Sequence, residues 1–595
     1  MMKKRLTDLT RRFLIWRVRN VSQKNFVMAL SILIGVLVGI SAVTIKHAVH
    51  FTQRTVEHFV STYSINFLYF LFPLIGIGLT VVFMKYILKR PVGHGIPSVL
   101  YALSKTQGKI HSSNMFSSVI TSALTVGFGG SVGLEGPTVS TGAAFGSNIG
   151  QWLRLDYKQL IILLGAASAA AMAAIFKAPI AAVVFAMEVI MIDMTVASVV
   201  PLLLASATAA LTSMVFLGVN TLYPVKIIES YNLSELPYYI LLGILSGFLA
   251  VYFTRVYMYI TQFFDKMSSP WKRLFIAGSL LGLIILIFPS LYGEGFDGIN
   301  NSLNGSNIHV FENTFYSALD DNFIYTLIIM LLILLFKVVA TALTFGAGGV
   351  GGIFAPSLFL GSNLGFLFAS TINHFKLGVI NITHFAFAGM AGLIAANLHA
   401  PLTAIFLIGD ITGGYEMFIP LMIVSVVAYT TVKLFQENSV YTIQLAKRGQ
   451  LLTHNSDQNI LQLMSIRRVI ERNFIPVKKE QTLGDLVRTI SVSKRNIFPV
   501  VDDNNLFEGV VIMDQIREIM FDRDRYENTS VEDLMVIPSV MVHMEDTMEN
   551  VATKFHESGN YNLPVLDEND KYVGFVSRAN VFSTYRRMLK HFSED

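Results

Sequence analysis

The chain of 595 residues contains no cysteine, and only 14% of its residues are charged. Without cysteine there is no disulfide, no zinc–thiolate site and no thiol catalysis. The formal net charge of +5 is small for this length and gives no case for nucleic-acid binding. A soluble chain carries roughly 25% charged residues. With 53% hydrophobic residues as well, the composition predicts a protein that crosses a membrane several times.

The apolar part of the chain runs from about residue 26 to about residue 446. At ~20 residues per span it is long enough for ten or more helices. Residues 1–24 carry many lysines and arginines against one acid, Asp8, and no small-residue cleavage site follows. We therefore predict an uncleaved basic helix on the cytoplasmic leaflet and a multi-pass protein of the inner membrane.

The apolar part is interrupted by the stretch Gly129–Pro137, which contains four glycines and one carboxylate, Glu135. Glycine-rich backbone at membrane depth is tolerated only where it is buried in protein or lines water, and a carboxylate there usually faces a pathway. The proline suits the first turn of a helix. The stretch predicts a broken helix whose positive end points at a buried anion.

The glycine-then-proline pattern recurs at Gly93–Pro97 and Gly346–Pro356. Downstream, Glu188 follows Pro179 by nine residues, and Asp410 follows Pro401 by nine. This recurrence is an internal repeat. Interrupted helices at corresponding positions of two halves indicate a mid-membrane site at the interface of the halves. The pattern alone leaves open whether the repeat is parallel or inverted.

A charged tail follows from about residue 451 to residue 595, and it is duplicated too. The segment 497–502, Ile-Phe-Pro-Val-Val-Asp, recurs as Asn-Leu-Pro-Val-Leu-Asp at 562–567. Each copy precedes a turn, a second strand and an amphipathic helix, so the tail predicts two α/β modules at about 465–525 and 530–590. No span separates the tail from Lys447 and Arg448, so we place the C-terminus in the cytoplasm as well.

Together these motifs resemble the CLC family of chloride channels and chloride/proton exchangers, over residues 25–450. The tail resembles a pair of CBS (cystathionine-β-synthase-type) domains. The resemblance implies an α-helical polytopic protein with two inverted repeats and broken intramembrane helices. It further implies a homodimer in which each subunit encloses its own pathway for chloride or a related anion, and in which protons are a possible second substrate.

The resemblance also assigns roles to residues. Glu135 matches the gating glutamate, whose carboxylate occupies an anion position and leaves it when protonated. Neutral donors suit turnover, because a full cation would hold the anion too tightly. The anion-binding residues implied by the motifs, through backbone N–H groups or through a side chain, are His94, Gly95, Ile96, Gly136, Ile353, Phe354 and Tyr441.

Three positions depart from the family pattern. His94 stands where chloride-selective members have serine, which leaves the preference among chloride, nitrate and fluoride open. Val189 occupies the position of the inner proton-relay glutamate, and its neighbour Glu188 is either a structural carboxylate or a substitute relay. Leu134 replaces the arginine beside the gate. The missing relay favours a voltage- or pH-gated chloride channel over a chloride/proton antiporter with another inner proton route.

The CBS pair has weak nucleotide determinants. Family members that bind adenine nucleotides carry a Ser or Thr followed three residues later by Asp. Here Ser577 is followed by Asn580, and the first module has Ile512 and Gln515. Adenine nucleotide is thus a possible ligand of an otherwise structural or gating scaffold, and we expect no resident cofactor or metal.

Two other classes of function fit the sequence less well. A CBS-regulated cation transporter needs clustered acids at membrane depth to replace hydration. A membrane enzyme with Glu135 as general base needs a nucleophile, a partner acid or metal ligands, and no such motif accompanies it. We therefore predict a transport protein rather than an enzyme. The candidate intramembrane carboxylates are few: Glu135, Glu188, Asp193 and Asp410.

Overall fold

The computed structural model has two compact units, residues 1–451 and 452–595, and each is described here by itself. The structure describes residues 14–17, 19–63, 68–90, 92–93, 95–190, 196–219, 223, 231–306, 310, 314, 316, 322–412, 416–447, 461 and 464–593.

The first unit is helical. In the described part of the chain, eight helices are long and apolar enough to cross a membrane. A six-residue π-helix, Phe83–Leu88, continues the second of them. The long helices are α1 (Gln23–Tyr63), α2 (Leu68–Val82), α6 (Tyr157–Phe176), α8 (Val196–Leu217), α9 (Leu236–Asp265), α10 (Pro270–Ile287), α12 (Phe323–Gly346) and α13 (Phe354–His374).

Shorter or more polar helices lie between the long ones, because glycine and proline interrupt the apolar pattern. Several begin at a proline, whose missing N–H is no loss in the first turn. They are α3 (Ile96–Lys105), α4 (Asn114–Gly127), α5 (Glu135–Trp152), α7 (Pro179–Glu188), α11 (Phe296–Leu303), α14 (Ile382–Leu398), α15 (Pro401–Thr412), α16 (Phe418–Lys433) and α17 (Ile443–Lys447).

The internal repeat is visible in two reciprocal contacts. The carboxylate of Glu188, at the end of α7, accepts the backbone N–H groups of Leu402 and Thr403 at the start of α15. Asp410, near the end of α15, accepts the N–H of Ala181 at the start of α7 with an N–O distance of 3.2 Å. Each helix therefore caps the other. Such an exchange is what a two-fold relation between inverted halves produces.

Two predicted boundaries differ from the structure. We expected the first span to cover residues 25–51, but α1 continues to Tyr63, because the polar residues after Phe51 include no glycine or proline that would end the helix. We expected residues 293–322 to be a polar insert, but part of this segment forms α11. Its buried residues Ile299 and Leu303 give it an apolar face.

The second unit contains two small sheets. One has the strand order β1-β6-β5-β4, and the other pairs β2 with β3. Its elements are α18 (Ile466–Val469), β1 (Ile470–Glu471), α19 (Leu483–Val492), β2 (Ile497–Val501), β3 (Phe507–Ile512), α20 (Met513–Ile516), α21 (Val531–Leu534), β4 (Val542–His543), α22 (Met548–Ser558), β5 (Asn562–Leu566), β6 (Tyr572–Ser577) and α23 (Arg578–Ser593).

The duplication predicted for the tail is present as two matching hairpins. β2 pairs with β3 and β5 with β6, both antiparallel, and each pair has a register irregularity near its turn. Aromatic residues join the two modules: the rings of Phe474 and Phe575 lie 4.5 Å apart. Arg495 of the first module reaches Glu471 on β1, with an N–O distance of 2.6 Å, and β1 pairs with β6 of the second module. The two modules therefore share a core and form one unit.

A candidate anion site where three helices begin

Three helices of the membrane unit begin close to one another. A Cβ on Gly95, just before α3, would lie 2.8 Å from the Cα of Gly136 in α5. A Cβ on Gly352, just before α13, would lie 2.8 Å from the backbone N of Gly136. Such distances exclude side chains, so glycine lets the three helix starts meet. Sequence repetition predicted the helix starts, and the structure brings them together.

A small antiparallel bridge fixes this meeting point. The N–H of Gly133 donates to the carbonyl of Gly352 with an N–O distance of 2.8 Å, and the N–H of Gly352 donates back to Gly133 at 2.7 Å. The bridge joins the glycine-rich segment of the first half of the chain to that of the second half. Backbone hydrogen bonds therefore join the segments from which α5 and α13 start.

The arrangement favours an anion. The first N–H groups of an α-helix have no partner within the helix, and the N-terminus carries a partial positive charge. Here the first turns of α5 and α13 adjoin, and Ile353 and Phe354 at the second of them are buried. Buried backbone donors from several helices can bind a halide without a full cation.

Glu135 is the first residue of α5, and its side chain is completely buried. A Cβ on Gly133 would overlap its Oε2 atom, so the side chain folds back over the glycine-rich segment. The backbone N–H groups of Glu135 itself and of Ala355 are the donors that face the carboxylate. Within the described part of the chain neither carboxylate oxygen completes a hydrogen bond. The carboxylate thus lies between two helix starts, where an anion would lie.

The other predicted residues lie around this point or outside the described residues. Tyr441 is buried, its hydroxyl has no hydrogen-bond partner among the described residues, and it lies within electrostatic range of Glu135. The ring of Phe354 packs against that of Phe176, with 5.2 Å between their centres. His94 lies outside the described residues, so its role stays a prediction. Gly95 and Ile96, at the start of α3, are buried.

Val189 and Glu188 lie at the end of α7. Val189 is buried and has only an aliphatic side chain. Besides the two backbone N–H groups at the start of α15, the Glu188 carboxylate accepts the hydroxyl of Thr403 with an O–O distance of 2.7 Å. These contacts are those of a structural carboxylate, the first of the two roles considered for Glu188. Asp193 lies outside the described residues.

Sequence reasoning missed a polar cluster beside Glu135. Lys337 of α12 is fully buried, and its Nζ donates to the Oγ of Ser131 at 2.9 Å and to the carbonyl of Gly293 at 3.2 Å. Glu294 accepts the N–H of Leu134 at 3.2 Å. The single lysine within the apolar sequence of α12 could have indicated a buried polar cluster. Glu294 lies in a polar segment, and nothing in its surroundings distinguished it.

In the tail, the side chains of Ser577 and Asn580 donate hydrogen bonds to other groups of the protein. Ser577 donates to the carboxylate of Glu471 with an O–O distance of 2.5 Å, and Asn580 Nδ2 donates to the carbonyl of Val469 at 2.8 Å. Beside them lies a cleft that includes Arg468. The full lining of this cleft is Met464, Ser465, Arg468, Asn580, Thr584 and Arg587.

Broken helices that meet at a buried, backbone-lined anion position define a class of membrane transport protein. The comparison with protein families gives the particular one. Residues 76–433 match the family described as voltage gated chloride channel, and residues 466–522 and 531–587 match the CBS domain. The chain belongs to the voltage gated chloride channel family, the CLC family, and carries a tandem CBS pair. It is therefore a multi-pass membrane protein of CLC-type anion transport, from a family of transport proteins rather than enzymes.

Two relatives have nearly the same sequence identity to this chain. A putative chloride channel protein ClcB-like of Ralstonia nicotianae is 28% identical over 372 residues, which are 61% of this chain and 82% of the relative. An H(+)/Cl(-) exchange transporter ClcA of Vibrio cholerae is 29% identical over 435 residues, which are 70% of this chain and 88% of the relative.

Solved structures show the same fold. A slow cyanobacterial Cl-/H+ antiporter aligns with a TM-score of 0.62 at 23% identity, over 72% of this chain and 99% of that one. A eukaryotic CLC transporter aligns with a TM-score of 0.59 at 19% identity, over 94% of this chain and 99% of that one. The expectation of a CLC fold with an α/β tail is confirmed.

Proposed function

We propose that this protein exchanges chloride for protons. In this proposal the side chain of Glu135 acts both as the gate and as the proton carrier. The observation that carries the proposal is the position of the Glu135 carboxylate, buried between the starts of α5 and α13. The names of the ClcA relatives and of the antiporter structure favour exchange over the channel that the sequence first suggested.

The geometry supports a simple exchange cycle. In its ionised form the Glu135 carboxylate occupies the positive end shared by the two helices and excludes an anion there. A proton converts the carboxylate to a neutral acid, which leaves the position to chloride. The neutral hydroxyl of Tyr441 can donate to the anion on the other side. Return of the carboxylate then requires loss of both the proton and the chloride, which couples the two fluxes.

A chloride channel remains the second candidate, because of one observation. Val189 places an aliphatic side chain at the position where the family's inner relay carboxylate is expected. Without a relay, a proton on Glu135 has no titratable side chain at that position through which to pass inward. A channel needs only a gate, and Glu135 alone would supply it.

The purified protein in liposomes distinguishes the two candidates. We expect an outward chloride gradient to drive uphill proton uptake, with a fixed ratio of protons to chloride, because both bind at the Glu135 position. The measurement records chloride efflux and external pH together. Chloride efflux without uphill proton movement would establish a channel, and absence of any anion flux would contradict both candidates.

We also propose that both termini are cytoplasmic and that the protein is a homodimer in the inner membrane. Lys85, Lys89 and Arg90 after α2 fit the positive-inside rule. So do Lys266, Lys272 and Arg273 around the turn from α9 to α10. The family resemblance supports the homodimer.

For the tail, we propose that the cleft beside Asn580 binds an adenine nucleotide. Two arginines of the cleft, Arg468 and Arg587, offer charge for phosphate groups. The hydroxyl of Ser577 already donates to Glu471, so ribose recognition would have to replace this bond. The competing role is a scaffold that binds no nucleotide.

We expect the full-length protein to bind ATP weakly, because no Asp completes the ribose site, and Arg468→Ala to lower the affinity further. Isothermal titration of the purified protein with ATP measures both. Arg523→Ala, in a 3₁₀ turn outside the cleft, is the control variant. Absence of binding would favour the scaffold. Equal affinity in all three proteins would show that ATP binds without Arg468 and would contradict the assignment to this cleft.

A further inference from the structure

The segment 291–294 is hydrogen-bonded to the segment 129–134, which immediately precedes Glu135. The Oγ of Ser131 donates to the carbonyl of Leu291 at 2.7 Å, and the N–H of Gly293 donates to the carbonyl of Gly129 at 3.3 Å. Glu294 then accepts the N–H of Leu134, the residue immediately before Glu135. The Glu294 carboxylate is therefore held at the same helix start as the gating carboxylate.

Several titratable groups on the elements around Glu294 lie within electrostatic range of it. They are the carboxylate of Glu135 on α5, the ammonium groups of Lys46 on α1 and Lys337 on α12, and the phenol of Tyr223. Lys46 also donates to the carbonyl of Ile175 at 2.7 Å. Among the described residues the cluster thus contains two carboxylates and two amines beside the anion position.

The charges of this cluster couple the binding of chloride to the binding of protons. With both carboxylates and both amines ionised, their charges cancel. A chloride that enters adds one negative charge in a buried region, where an unbalanced charge is costly. One proton on either carboxylate restores the balance. Glu135 supplies one such group, and Glu294 supplies a second that is only half-buried and so is more accessible to water.

We propose that Glu294 is a second protonation site of the transport cycle, beside Glu135. It rests on the proposed exchange function and deepens it. In the transfer step, the proton of the neutral Glu294 acid moves to the Glu135 carboxylate, directly or through water. Glu294 is left ionised, and Glu135 becomes the neutral acid that yields its position to chloride.

Glu294 is on the outer side of the gate if the proposed topology holds. Lys266, Lys272 and Arg273 place the start of α10 at the cytoplasmic face. The 18-residue helix α10 then ends at the opposite face, a few residues before Glu294. In this arrangement Glu294 receives protons from the outside.

The test is calorimetry of chloride binding to the purified full-length protein at one pH, in buffers of different ionisation enthalpy. This measurement counts the protons taken up per chloride. We expect Glu135→Gln to bind chloride and still take up protons, because Glu294 remains. We expect the double variant Glu135→Gln/Glu294→Gln to bind chloride without proton uptake. Glu294→Asp in the Glu135→Gln background should restore the uptake.

Asp297→Asn is the matched control, since Asp297 is an exposed carboxylate three residues further along the chain. In the Glu135→Gln background it should leave the proton uptake unchanged. Absence of uptake in Glu135→Gln overturns the proposal even if the double variant cannot be purified, and so does undiminished uptake in the double variant. Absence of chloride binding in the wild type would contradict the proposed function instead.

Discussion

Glu135→Gln abolishes proton movement and leaves anion flux in place: this is the result that we expect from paired chloride and proton recordings in liposomes. Glutamine has the size of the neutral acid but cannot lose a proton, so it fixes the side chain in the state that yields its position to chloride. The expected loss is complete, because the ionised carboxylate is what couples the two fluxes. Chloride efflux should also lose the part of its dependence on external pH that comes from protonation of Glu135.

The control for this experiment is Glu188→Gln. Glu188 is also a carboxylate at membrane depth, but it accepts N–H groups at the start of α15 and the hydroxyl of Thr403. Glutamine can still accept the N–H and the hydroxyl of Thr403 through its one amide oxygen and loses only the bond from Leu402. Proton coupling should therefore persist. Coupling that survives in Glu135→Gln would contradict the assignment of Glu135. Coupling that is lost in Glu188→Gln would make Glu188 the substitute inner relay.

Lys337→Met should destabilise the protein and disable the gate. Lys337 is fully buried, and its ammonium group joins Ser131 to Gly293 and lies over the ring of Phe359, 4.9 Å from its centre. Removal of one partner from a buried charge network costs about 3–5 kcal/mol. We expect a melting temperature lower by several degrees and anion flux that is strongly reduced. Thermal unfolding in detergent and liposome flux measure the two effects.

Lys272→Met is the matched control, because Lys272 is an exposed lysine on α10. Its replacement should change the melting temperature little, since surface substitutions usually stay within about ±0.5 kcal/mol. If Lys337→Met melted and transported like the control, the cluster would not support the gate. If it melted like the control but lost transport, the role of Lys337 would be in the charge balance rather than in stability.

The sequence predicted those parts of the site that depend on local backbone. Glycine before a helix start, proline in the first turn and a buried carboxylate each have a local physical meaning. They therefore located Glu135 and the start of α13 without knowledge of the fold. The duplicated hairpins of the tail were predictable for the same reason, because alternating strands and their turns are local patterns.

Contacts between distant parts of the chain could not be read in this way. Lys337 meets Ser131 across 206 positions of sequence, and Leu134 meets Glu294 across 160. No local pattern relates such residues, since only the packing of α12 and of the segment before α11 against α5 brings them together. The hydrogen-bond partners of Glu188 could not be predicted from the sequence either, although a structural role was one of the two alternatives for this residue.

The reciprocal caps at Glu188 and Asp410 also constrain how the protein is made. During synthesis Glu188 emerges more than 200 residues before its partners Leu402 and Thr403. Until then the first half of the chain holds a carboxylate at membrane depth without its hydrogen-bond donors, and the start of α7 lacks the carboxylate of Asp410. The first half on its own is therefore an incomplete structure, and arrival of α15 closes both ends at once. Membrane insertion of the first half and capping of α7 are therefore separate events during synthesis.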